Sequence, residues 1–142
     1  MVGKILARFY YMWGSLHRNF GNRSSFVREH RSAVQRFTQA YHADPNLRKA
    51  RLDRGILYYR EMGMLDEALE DFDALLEIDP DYSPALLNRA MVYQEQGRYA
   101  DALVDLEAYL ALPMEDEEYH QIASRTATLL QEIVDELESA GE

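Results

Sequence analysis

Cysteine is absent from this 142-residue chain, which removes disulfide frameworks, thiol nucleophiles and Cys-based zinc sites from consideration. No run of eighteen apolar residues occurs, excluding a conventional membrane-spanning helix. Residues 1–20 also lack the basic start, apolar run and small-residue cleavage site of a secretory leader. A cytoplasmic location, or loose membrane association, is the expectation. Proline is scarce, with four residues, and three of them, Pro45, Pro80 and Pro113, each follow an apolar periodic segment that a proline would end. Basic residues are scarce in one part only. Residues 61–142 hold 3 Lys or Arg against 22 Asp or Glu, a charge of -19, whereas residues 1–60 hold 12 against 3, a charge of +9. The overall -10 therefore hides a dipole. Such asymmetry bears on solubility, partner steering and head-to-tail self-association rather than on fold.

What is present is helical periodicity, in segments that repeat. Leu52, Tyr59, Gly63 and Ala68 are followed 34 residues later by Leu86, Tyr93, Gly97 and Ala102, the mark of a helix-turn-helix repeat. Ala33, Phe37 and Pro45 share the spacing of Ala68, Phe72 and Pro80. Three- and four-residue apolar spacing predicts helices over 4–20, 26–43, 47–62, 65–78, 82–96 and 99–112. In the first, Ile5, Leu6, Phe9, Tyr10, Trp13, Leu16 and Phe20 form the expected packing stripe. Gly21 to Ser25 reads as a turn, with Ser24 or Ser25 capping the next helix, and Asp66 is placed to cap the fourth. After Pro113 the turn signals stop. Ile122, Ala123, Leu129, Leu130, Ile133, Val134 and Leu137 predict one long helix whose start is favoured by Glu115 to Glu118 and whose tail, Ser139 to Glu142, frays.

These residues resemble the tetratricopeptide repeat, whose pattern sets an aromatic and a Leu-Gly pair before Tyr, then Ala, Phe and Pro. In the central unit the matching residues are Leu52, Gly55, Ile56, Tyr59, Ala68, Phe72 and Pro80. In the next they are Leu86, Arg89, Ala90, Tyr93, Ala102 and Leu106. Gly55 and Ile56 are exchanged in size relative to the family pair. The first unit matches through Ala33, Phe37, Ala40 and Pro45, and requires a longer first helix and turn; Trp13 is out of register. The resemblance implies an all-α, right-handed α-solenoid of about seven helices in one domain, 1–142. It would comprise a degenerate N-terminal pair (4–46), repeats at 47–80 and 81–113, and a capping helix at 115–139. It further implies a concave face built from the first helix of each pair, and protein binding rather than catalysis.

The expected groove is lined by Asp53, Arg54, Leu57, Arg60 and Glu61 in the central unit and by Leu87, Asn88, Met91, Gln94 and Glu95 in the next. Some family members clamp C-terminal carboxylates with Lys and Asn, but Asp53 and Leu87 stand where that clamp wants them. A mixed groove for a peptide or helical segment of another protein is the leading expectation: a non-enzymatic scaffold or adaptor with no cofactor and no metal. His17, His30, His42 and His120 are dispersed. Carboxylate pairs such as Asp71 and Asp73 fall on predicted polar surface, and no phosphate loop or nucleophile motif occurs. The alternative is a homo-oligomeric self-assembly module using the aromatic, basic N-terminal helix through Phe9, Tyr10, Trp13, Arg18 and Arg23. For that helix, packing on its own solenoid ranks ahead of self-association, and self-association ahead of contact with an anionic membrane. Nucleic acid is not expected.

Overall fold

A computed structural model describes residues 2–24 and 27–141, with side chains of residues 20–27 outside the description. Seven helices occupy the described residues: α1 (Val2–Ser24), α2 (Val27–Ala43), α3 (Arg48–Met62), α4 (Leu65–Ile78), α5 (Ser83–Glu95), α6 (Tyr99–Leu110) and α7 (Glu117–Ala140). They form two compact units, divided between Leu75 and Leu76.

In the first unit α1 pairs with α2, α2 with α3, and α3 with α4. Ala33, Phe37 and Leu57 form a buried cluster, with Tyr11 and Val34 against its edge. The helices approach closely because the contact residues are small. A Cβ at Gly14 would lie 2.7 Å from Phe37 Cδ1, and one at Gly55 2.7 Å from Phe72 Cε1. Gly14 therefore stands to Phe37 as Gly55 stands to Phe72, and the N-terminal pair is packed like a repeat.

The packing stripe expected on α1 faces the other way. Ala7 and Gly14 are buried, while Ile5, Leu6, Phe9, Trp13 and Leu16 are exposed. Small residues win the interface because only they admit the Phe37 ring at contact distance. The expected turn at Gly21 to Ser24 is helix instead. Continuing the ladder satisfies backbone groups that a turn would expose, and this outweighs weak local propensity. Ser24 is thus inside α1 and caps nothing; Ser25, Phe20 and Phe26 lie outside the described side chains.

The two repeat turns obey one rule. Gly63 and Gly97, 34 residues apart, have φ of 64° and 73°, the left-handed region that glycine enters without steric penalty. Met64 and Arg98 N–H then return to Tyr58 and Tyr93 carbonyls at 2.9 and 2.8 Å. Asp66 is inside α4, one residue past its start, and complements the helix dipole rather than capping.

In the second unit α6 packs on α5 and α7 on α6. Ala90, Ala102 and Leu106 are buried. The Asp116 carboxylate caps α7, accepting from Tyr119 N–H at 3.0 Å. Helix α7 continues through Ser139 and Ala140, beyond the expected onset of fraying. Only part of its apolar stripe is used: Ala123, Ala127 and Leu130 are buried, and Ile122, Leu129, Ile133 and Leu137 are exposed.

Candidate functional site

Within each unit an arginine on the first helix of a pair grips an aspartate on the second. Arg54 Nε donates to Asp71 Oδ2 at 2.8 Å, and Arg51 Nε to Asp71 Oδ1 at 3.2 Å. Arg89 Nε donates to Asp105 Oδ2 at 2.8 Å. Both aspartates are buried, so the polar surface expected at Asp71 is replaced by an internal ion pair. Burial of that carboxylate is compensated by two guanidinium groups. The Asp71 hydrogen bond holds the Arg54 guanidinium above its usual range, against the opposing effect of burial. The signal was in the register, since Asp71 and Asp105 are 34 residues apart.

The ten expected groove residues separate accordingly. Asp53 is 3% exposed; its carboxylate accepts from the Tyr11 hydroxyl at 2.6 Å and lies 3.2 Å from Arg18 and 3.7 Å from Lys49. Burial, then the bond to Asp53, pushes the Tyr11 phenol strongly up. Leu57 is a core residue at 1% exposure. Arg54 is half-buried and committed to Asp71 and the Thr38 hydroxyl. Arg60 and Glu61 are exposed. They wall a cleft of about 290 Å³ with Arg18 and Asn19 of α1, and Ile56 and Leu57 also line it. Asn19 was not anticipated, because the expected α1 orientation left it no role.

In the second unit Leu87 and Gln94 are half-buried, Met91 and Glu95 exposed. The Asn88 amide donates to the Pro84 carbonyl at 2.7 Å. Of the residues expected to serve self-association, Phe9 and Trp13 are exposed and Tyr10 half-buried. Arg18 turns inward to Asp53, and the Arg23 side chain lies outside the description. The structure shows no cluster of three metal-ligating side chains among the described residues. No described helix is long and apolar enough to cross a membrane.

Stacked helix pairs with glycine turns, alanine contacts and a buried Arg-Asp link in each unit define a helical-repeat protein. A profile described as Tetratricopeptide repeat matches residues 59–125, and the chain carries tetratricopeptide repeats over that stretch. Three solved structures have the same fold. The Arabidopsis OM64 TPR domain superposes with a TM-score of 0.69 at 17% identity, covering 94% of this chain and 98% of that one. The Yersinia enterocolitica Type III Secretion Translocator Chaperone SycD gives 0.68 at 20%, covering 89% and 84%. The second TPR domain of human RPAP3, solved in complex with the HSP70 peptide SGPTIEEVD, gives 0.67 at 18%, covering 88% and 98%.

Proposed function

We propose that this protein is a non-enzymatic scaffold or adaptor that binds a peptide or helical segment of another protein. The observation that carries this reading is the α1–α3 cleft. Cationic Arg18 and Arg60 stand at its rim beside Asn19, with Ile56 and Leu57 among the lining residues, a combination that suits an acidic segment with one apolar anchor. The RPAP3 domain of the same fold was solved with the acidic peptide SGPTIEEVD, which supports peptide binding as a use of this architecture. Asp53 argues against a carboxylate clamp of the Lys and Asn type, since it places a buried carboxylate there. Met91 and Glu95 on α5 are the corresponding accessible positions of the following repeat.

The test is partner capture from native lysate with the wild-type chain and with Arg60→Glu and Met91→Asp. Both side chains are exposed, so stability is expected to change by less than about 0.5 kcal/mol. A specific partner lost from both variants supports the groove. A partner retained equally by all three proteins overturns it.

A further inference from the structure

Of sixteen large apolar side chains exposed among the described residues, seven are on α1 and five on α7. The two faces differ in charge. Residues 2–43, spanning α1 and α2, hold seven Lys or Arg against one Glu, a formal +6. Helix α7 holds six Asp or Glu against one Arg, a formal -5.

On α1 the exposed face is organised. Phe9 and Trp13 meet edge to face with centroids 5.4 Å apart, the Arg36 guanidinium sits 4.1 Å above the indole, and His17 stacks on it. An apolar hollow of about 610 Å³ opens beside Phe9, Met12, Trp13 and Leu16. Lys4 and Arg8 follow one edge of this face at helical spacing. Aromatic anchors fixed by their neighbours lose little freedom when covered.

On α7, Ile122, Leu129 and Ile133 make an exposed row, edged at helical spacing by Glu118, Glu132 and Glu136. The row ends at Leu137, beside a hollow of about 370 Å³ lined also by Tyr99 and Val134.

We propose that a second copy of this chain covers the α1 face with its own α7 face. The contact is heterologous, head to tail: apolar rows meet, Phe9 and Trp13 enter the recessed α7 surface, and Lys4, Arg8 and Arg36 face the glutamates. Each face is too apolar to be ordinary solvent surface, and each supplies the charge that the other lacks. An anionic membrane is disfavoured as the occupant by the chain's net charge of -10. Because the faces are different, one molecule offers both, and assembly proceeds to a ring or an open series rather than stopping at a symmetric pair. This proposal does not depend on the α1–α3 cleft.

Sedimentation velocity and light scattering on the full chain test it, with Phe9→Glu breaking the α1 face and Leu129→Lys breaking the α7 face. Phe9 is 46% exposed and Leu129 59%, so circular dichroism is expected to be unchanged. The wild-type average mass rises with concentration and falls as salt is added. Each variant alone loses self-association by about tenfold or more. Mixed together, they form a one-to-one complex, because each retains the face that the other has lost. A wild-type chain that stays monomeric up to about 1 mM, the weak end of specific association, overturns the proposal. So does a Leu129→Lys variant that self-associates like wild type, which assigns an α1–α1 contact. Co-sedimentation with phosphatidylserine vesicles in the absence of self-association overturns it in favour of a membrane.

Discussion

Arg54 and Asp71 meet as a two-pronged pair, Nε to Oδ2 at 2.8 Å and Nη2 to Oδ1 at 2.5 Å, and Arg89 repeats the arrangement on Asp105 at 2.8 and 2.7 Å. The pairs bind the first helix of a repeat to the second. Removing one carboxylate strands half-buried guanidinium groups without a counter-charge. Asp71→Ala is therefore expected to cost about 3 kcal/mol in urea unfolding, and Asp105→Ala a similar amount. A loss under about 1 kcal/mol, the worth of an exposed pair, would show that these links are marginal to stability.

Close approach makes the second prediction. An alanine Cβ at Gly55 would sit 2.7 and 3.0 Å from the fully buried Phe72 ring and 3.2 Å from Asp71 Cβ. Overpacking costs about 1–3 kcal/mol, which outweighs the roughly 1 kcal/mol that alanine gains as a helix former. Gly55→Ala is expected to lower Tm by a few degrees, and Gly14→Ala, against Phe37, to do likewise. A rise in Tm would mean that the rings move aside at little cost.

Gly63 and Gly97 act through the backbone alone, since nothing lies within 4 Å of a Cβ at either position. Alanine at either turn is expected to cost about 1 kcal/mol from the left-handed φ. Gly63→Asn should recover part of that loss, because asparagine enters this region more readily. Equal stability of the Ala and Asn variants would point to a turn that has changed conformation.

The Tyr11 phenol is pushed up by burial and by its bond to Asp53, and burial also raises Tyr58. In the unfolded chain these groups ionise near pH 10. Above that pH the unfolded state loses protons that the folded state keeps, so stability falls as pH rises. Below it, the contribution is fully present. Tyr11→Phe is expected to cost about 1 kcal/mol at pH 7 and to make the alkaline decline shallower. Unfolding free energies at pH 8, 10 and 11 read both effects; an unchanged alkaline slope would remove Tyr11 as its source.

The repeat was legible because its signals are local. Gly63 and Gly97 mark turns that almost no other residue fits, Pro45, Pro80 and Pro113 close helices, and Ala68, Ala90 and Ala102 mark close contacts at a fixed spacing. The site was legible only in part. Arg60, Glu61, Met91 and Glu95 are accessible as expected, but Leu57 and Asp53 are interior. The positions on one helical turn share a phase, and phase alone does not say which side a neighbouring helix takes.

Sequence by itself determined the repeat unit, its turns and the division of charge between a basic first part and an acidic remainder, since each depends on residues near one another in the chain or on composition. Tertiary structure decided the orientation of α1. Its aromatic stripe is the stronger hydrophobic signal, yet Gly14 faces Phe37 and Phe9 and Trp13 face outward, because shape at the α2 interface selects the small side of the helix. The same holds for Asp71, polar surface by sequence and buried in fact, where Arg51 and Arg54 arrive from another helix to neutralise it. Pairing across elements, with the desolvation it entails, settles such positions only when the fold brings the partners together.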